Sequence, residues 1–220
     1  MEPKKKLTEL FLSGNLTESW KNIMEIKENE RKSSHEIYQL LTETMEFVSE
    51  MWEENQITAA EEQIASYICK SILNNYSLKY IHNVHIASNK AMFLCLGEKQ
   101  DIGTYILSNM FKEGGWSSRV LEVDMTIDYI VGYSLEWRPH LIWLSISNVY
   151  HLHKLKKYSE ELIKLHSPKI LVGGNLANNY ELERYTAPGV IIIRNLKQAI
   201  EWINQTGTET NGIALTNREI

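Results

Sequence analysis

The chain has 220 residues, 43% of them hydrophobic and 23% charged, with a formal net charge of −5. That is enough apolar material to bury a core in one large domain or two small ones, and the acidic balance argues against a general affinity for nucleic-acid phosphates. No apolar run reaches the roughly 18 residues of a membrane span, and no apolar stretch follows the basic start Lys4-Lys5-Lys6 as it would in a secretory leader, so a cytoplasmic protein is expected.

The first 82 residues read as helices. Leu10, Phe11, Leu16, Trp20, Ile23 and Ile26 recur at steps of three to four. Ser34 is placed to cap the next helix, which carries Ile37, Leu40, Leu41, Met45, Phe47, Val48, Met51 and Trp52 on or near one face. Beyond the turn at Asn55-Gln56, Thr58 followed by Glu61 has the form of a capping box. It opens a helix with Ile64, Ala65, Ile68, Cys69, Ile72 and Leu73 at helical spacing. A bundle of about four helices is the natural architecture.

After a connector at 82–89 the pattern changes. Five short apolar strands are expected at Lys90–Leu96, Ser118–Val123, Leu141–Ile146, Lys169–Val172 and Val190–Ile193. Helices are expected between and after them at Asp101–Lys112, Thr126–Trp137, Tyr150–Leu165 and Leu196–Ile203. The alternation predicts an α/β domain over 90–205, a Rossmann-like (flavodoxin-like) five-stranded parallel sheet with helices on both faces, followed by a polar, frayed tail at 206–220. Such sheets bind ligands at the carboxyl ends of their strands. Cys69 and Cys95 sit inside apolar segments and form no CxxC pair, so both are expected as buried free thiols.

Three of the expected loops carry a pattern together. The first strand is followed by Glu98-Lys99-Gln100-Asp101-Ile102-Gly103, the third by Ser145-Ile146-Ser147, and the fourth by Gly173-Gly174. From Gly103 to Ser145 is 42 positions, and from Ser147 to Gly173 is 26. This resembles the cobalamin-binding domain shared by methionine synthase, the mutases, corrinoid proteins and cobalamin-dependent photoreceptors. Its pattern is Asp/Glu-x-His-x-x-Gly, Ser-x-Leu and Gly-Gly at these spacings. The resemblance implies a nucleotide tail threaded beside the sheet. Gly173 and Gly174 would let it approach the backbone, the serine hydroxyl would meet its base, and Gly103 would turn the first loop into its helix. In the helical half, Trp52 followed ten positions later by Glu62 and then Gln63 resembles the Trp-x9-Glu-His motif of the photoreceptor cap, which implies contact with the upper corrin face around an adenosyl group.

The departures from that pattern bear on function. Gln100 stands where the family has its lower axial histidine, and Gln63 where the cap has one. An amide is a poor cobalt ligand where an imidazole is a good one. Thr104 replaces a common lysine, Ser147 the leucine of Ser-x-Leu, and Val149 a frequent hydroxyl residue. His151 and His153 begin the helix after the third strand and are expected as surface imidazoles. His140 lies at the wrong end of the sheet, and nothing ties His82 or His85 of the connector to the cleft. There is no P-loop, no Gly-x-Ser-x-Gly elbow and no Gly-x-Gly-x-x-Gly. A non-enzymatic sensor is therefore expected. It would clamp a tetrapyrrole between cap and sheet, cobalamin first (adenosylcobalamin favoured) and haem or biliverdin otherwise, and would respond to light, redox state or occupancy. It would signal through a protein partner or a homo-oligomer, without nucleic acid or membrane. The alternatives are a corrinoid methyl carrier serving a methyltransferase, and an interaction module that has lost its ligand.

Overall fold

The computed structural model describes residues 3–81, 89–97, 101–121 and 125–211, and the chain divides into two compact units, Met1–His82 and Asn83–Ile220.

The first unit contains four helices, α1 (Pro3–Leu12), α2 (Leu16–Asn29), α3 (Ser34–Glu53) and α4 (Ala59–Tyr80). The periodic residues Phe11, Ile23, Ile37, Leu41, Val48, Ile72 and Leu73 are fully buried, each on the stripe that its helix turns inward. Tyr38 and Tyr76 meet edge to face between α3 and α4, with centroids 5.6 Å apart, and the Tyr76 hydroxyl donates to Ser34 Oγ at 2.9 Å. Cys69 is buried and unbridged, and desolvation pushes its thiol well above the usual range.

Caps set the helix starts. The capping box at Thr58 and Glu61 forms as the sequence predicts. The cap of α3 is Ser33 rather than Ser34. Its Oγ accepts the Glu36 amide, while the Glu36 carboxylate accepts the Ser33 amide at 2.8 Å. Only Ser33 has a glutamate three positions on, and that reciprocal pairing decides between two adjacent serines.

The second unit is a single five-stranded sheet, β1 (Lys90–Cys95), β2 (Ser117–Leu121), β3 (Leu141–Ser145), β4 (Lys169–Gly173) and β5 (Ile191–Ile192). The strands are all parallel, in the order β2-β1-β3-β4-β5. The helices α5 (Ile102–Glu113), α6 (Ile127–Trp137), α7 (Leu152–Ile163), α8 (Leu176–Asn179) and α9 (Leu196–Asn211) connect or follow the strands. The predicted α/β class and the bundle are both present. Three local expectations change. A 3-10 turn at Val149–His151 precedes α7, a short α8 and a second 3-10 turn at Leu182–Tyr185 fill the β4–β5 connection, and α9 continues to Asn211 instead of fraying at 206. Residues 212–220 and the connector at 82–88 lie outside the described residues, as do 122–124 at the end of the expected second strand.

Period-two alternation sorts the strands onto two faces. Met92, Leu94, Ile142, Leu144, Ile170 and Val172 pack in one core with Ile130 and Trp137 of α6 and Leu155 and Leu162 of α7. Ala91, Phe93, Leu141, Trp143 and Leu171 pack in the other with Leu107 and Phe111 of α5 and Ala199 and Ile203 of α9. Burial on both faces is why the strands read as unbroken apolar runs.

Two outcomes are expected of the caps. Thr58→Ala lowers unfolding stability by about 1 kcal/mol, read as a shift of the urea midpoint at constant slope. The amide and hydroxyl of Ser33 and the ammonium of Lys32 hold the Glu36 carboxyl down at about 2. A depressed carboxyl stabilises the fold above its unfolded value near 4.5, and that contribution disappears as pH falls toward about 2. Glu36→Gln is therefore less stable than the parent at neutral pH, with the difference closing between pH 4.5 and 2. A difference that stays constant in thermal melts across that range would contradict the assignment.

Candidate functional site

The strand order reverses between β1 and β3, since β1 leads outward to β2 while β3 leads the other way to β4 and β5. In a sheet of this kind the crevice for a ligand opens outside the carboxyl ends of the strands at that point. Cys95, Ser145 and Gly173 lie side by side in register at that end of β1, β3 and β4. All three share the face of Phe93, Trp143 and Leu171 by alternation.

Asp101 joins the two sides of the crevice. It caps α5 by accepting the Thr104 amide at 3.2 Å and the Thr104 hydroxyl at 2.7 Å. Its second oxygen also accepts the Ser145 hydroxyl, across 44 positions of sequence. Ser145 is buried and Ser147 half-buried. The serine expected to face a nucleotide base is thus already donating to a carboxylate. Asp101 was not among the expected site residues. Its signal in the sequence is an aspartate at the start of a helix, a common capping residue.

Gly103 is the second residue of α5 and is exposed. A methyl there would stand 3.2 Å from Asp101 Oδ1. Its backbone has no positive φ, so the expected tight turn is not its role. It gives room to the capping carboxylate instead.

The diglycine turn departs most from expectation. A Cβ at Gly173 would overlap Cη2 of Trp143, lie 2.5 Å from its Cζ2, and lie 3.0 Å from the Ile193 carbonyl oxygen. Trp143 is 4% exposed, and its indole N–H is buried without a hydrogen-bond partner among the described residues. Gly174 has φ +108°, and a Cβ there would overlap the Ile146 carbonyl oxygen with the Ile146 nitrogen at 2.8 Å. Ile146 N–H donates to the Gly173 carbonyl at 2.9 Å, and the Leu176 N–H to the Ile146 carbonyl at 3.4 Å. Both glycines do permit close approach, as their residue type demands. What approaches is the protein's own indole and its own β3 backbone. A nucleotide tail beside Gly173 does not fit this arrangement.

His151 is half-buried rather than a surface imidazole. Its ring lies over Gly97 at the end of β1, where an added methyl would stand 2.5 Å from Cγ, and its Nδ1 is buried without a partner among the described residues. His153 is exposed. His140 stands at the amino end of β3 and accepts the Lys90 amide at 3.1 Å. Burial, the Lys90 ammonium and His166 hold its imidazole below the ordinary value. Glu98 and Gln100, with His82 and His85, lie outside the described residues. No cluster of His, Cys, Asp and Glu with metal-binding geometry occurs among the described residues.

In the helical unit Trp52 is 48% exposed near the end of α3, and Glu62 and Gln63 lie half-buried and exposed in the first turns of α4. Glu62 accepts the Ser66 hydroxyl at 3.0 Å. No helix among the described residues is long and apolar enough to cross a membrane.

Comparison with known proteins addresses the same region. Residues 95–200 match the B12 binding domain. The structure of the Methanosarcina barkeri monomethylamine corrinoid protein is similar, with a TM-score of 0.74 and 18% identity, covering 91% of this chain and 96% of that one. A cobalamin-binding protein from Desulfitobacterium hafniense (TM-score 0.46, 18% identity, 93% and 96% covered) is a weaker likeness. So is the methanol:cobalamin methyltransferase complex MtaBC of Methanosarcina barkeri (TM-score 0.49, 13% identity, 96% and 81% covered). No curated protein sequence matches the chain. The sheet order, the alignment of Cys95, Ser145 and Gly173 at one edge, and the family match that starts at the end of β1 agree, and residues 95–200 of the α/β unit are similar to the B12 binding domain.

Proposed function

We propose that this protein binds a corrinoid at the carboxyl edge of its α/β unit and reports on it to a protein partner or a second copy of itself, without catalysis by its own side chains. The observation behind the reading is the coincidence of the B12 binding domain match, which begins at Cys95, with the strand-order reversal beside β1. The Asp101–Ser145 hydrogen bond ties the two banks of that crevice together. A ligand touching either bank bears on both.

Sensing is favoured over group transfer by Gln100. A carrier that cycles cobalt through turnover relies on an imidazole below the metal, and an amide side chain is a weak donor to it. Adenosylcobalamin is the favoured form. Trp52, Glu62 and Gln63 are proposed as the helical unit's ligand contacts, and Glu98, Gln100, Gly103 and Ser147 as those of the α/β unit's edge, which Ser145, Gly173 and Gly174 frame through contacts within the protein. A signal by light, redox state or occupancy needs about 1–5 kcal/mol of differential binding between two states.

A second reading, a methyl carrier, draws on the similar fold of the Methanosarcina barkeri monomethylamine corrinoid protein. The two readings part on one measurement. The full chain is mixed in darkness with adenosylcobalamin, methylcobalamin, aquocobalamin, haem or biliverdin, freed of unbound ligand by gel filtration, and its absorption spectrum recorded before and after illumination. Retention of adenosylcobalamin, with a spectrum or oligomeric state that changes on illumination or reduction, supports the sensor. Retained methylcobalamin that passes its methyl group to a thiol acceptor supports the carrier instead. A protein that keeps none of the five tetrapyrroles sinks both.

Trp52→Ala is expected to leave stability within about 0.5 kcal/mol, because the side chain is half in solvent. It should weaken adenosylcobalamin binding while sparing binding of aquocobalamin, which lacks the adenosyl group. Equal affinities of parent and variant for both ligands would remove Trp52 from the site.

A further inference from the structure

We infer that Trp143 plugs the space beside the diglycine turn, so that this protein takes its corrinoid with the nucleotide tail left outside the sheet. The inference rests on the corrinoid reading above and specifies the ligand form that the same site accepts.

Three observations converge. First, the volume that a side chain at position 173 would occupy is filled by the Trp143 ring, with the Ile193 carbonyl oxygen closing the remaining side at 3.0 Å. Trp143 is 4% exposed and packs with Phe93, Leu107, Leu171 and Ile193, so it belongs to the core between the sheet and α5 and α9. Second, its indole N–H is buried with no hydrogen-bond partner among the described residues. Tryptophan is ordinarily buried with that group paired, and leaving it unpaired is costly. The ring is held by the volume it fills, not by a polar anchor. Third, the other two groups that would receive a tail are committed. The Ser145 hydroxyl donates to Asp101, and the free face of Gly174 is taken by the Ile146 backbone.

A benzimidazole base is about the size of an indole, and interiors pack at crystal-like density. Two such rings cannot share one slot. The tail is therefore left folded back onto its own cobalt, as in the free ligand. That arrangement suits a chain with glutamine at position 100, since the ligand then supplies the nitrogen donor where an amide would be a weak one.

The test compares a tailed with a tail-less ligand. The full chain is titrated in darkness with adenosylcobalamin and with adenosylcobinamide, which has the same corrin and adenosyl group but no nucleotide. The parent protein is expected to bind the two within about threefold of each other, because the tail gains no contacts. Bound adenosylcobalamin should keep the red spectrum of the form with its own base on cobalt. Trp143→Gly should strengthen adenosylcobalamin binding by about tenfold or more, leave adenosylcobinamide unchanged, and turn the bound spectrum to the yellow base-off form.

A parent that prefers adenosylcobalamin by about tenfold or more, or binds it base-off, overturns the plug and leaves the corrinoid reading standing. Failure of both ligands to bind parent and variant alike overturns the corrinoid reading and the plug with it. Binding of adenosylcobalamin by the variant alone overturns the inference, since the parent would then not accept its corrinoid with the tail outside. The two titrations of the parent decide the matter even where the variant does not fold.

Discussion

Two missing methyl groups govern the carboxyl edge of this sheet. At Gly173 the absent Cβ is replaced by the Trp143 ring, and at Gly174 by the peptide of Ile146. Forcing a methyl into either contact is an overpacking change of the kind that costs about 1–3 kcal/mol, and at Gly174 the φ of +108° adds backbone strain for any L side chain. Because β3 and β4 are drawn together there, the Ile146 amide reaches the Gly173 carbonyl and α8 begins directly against the turn. The position of β3's last residues, and hence of Ser145, follows from that stitch.

Ser145 carries the constraint to the other side of the crevice. Its hydroxyl is donated to Asp101, the same carboxylate that caps α5, so one side chain fixes the start of a helix and the end of a strand. The bond is largely out of water, where a hydrogen bond to a charged group contributes about 1.5–3 kcal/mol. The edge from β1 to β4 is therefore one connected polar and steric unit: Thr104 to Asp101, Asp101 to Ser145, and one strand across to Gly173. A ligand that altered Asp101 would act on a helix cap and a strand end together.

Much of the fold was legible because each expectation rested on a strong local signal. Alternating short apolar runs and helices could form little but a parallel sheet covered on both faces, and Thr58 with Glu61 specified a cap down to its hydrogen bonds. The misreadings have equally local causes. Ser33 and Ser34 differ as caps only through the distance to Glu36. The α9 helix runs on through Thr206 and Gly207 to Asn211, where the polarity of the stretch suggested a frayed tail. At the site, the motif spacing pointed to the family, but spacing reports only that something must pass close to the backbone. Whether that is a ligand or a neighbouring side chain depends on residue 143, which sits one strand away in the pairing of β3 with β4 and 30 positions away in sequence. Read along the chain, Trp143 is one more apolar residue in LIWLS.

The placement of Trp143 also explains why a tryptophan is tolerated in the middle of a short central strand. Its neighbours in register are Phe93 on β1 and Leu171 on β4, both smaller, and the position two further along β4 is a glycine. The ring extends over that glycine, while on α5 Phe111 packs edge to face against Phe93 at 5.4 Å and Trp116 at 5.2 Å. Large and small residues thus alternate across the face, as close packing requires. Emptying position 143 to alanine would leave a cavity beside Gly173, a loss of about 3–5 kcal/mol for an aromatic residue. The packing of this sheet and the ligand form it accepts are consequently set by the same ring. A chain that opened the slot for a nucleotide would have to recover that stability from the ligand it admitted.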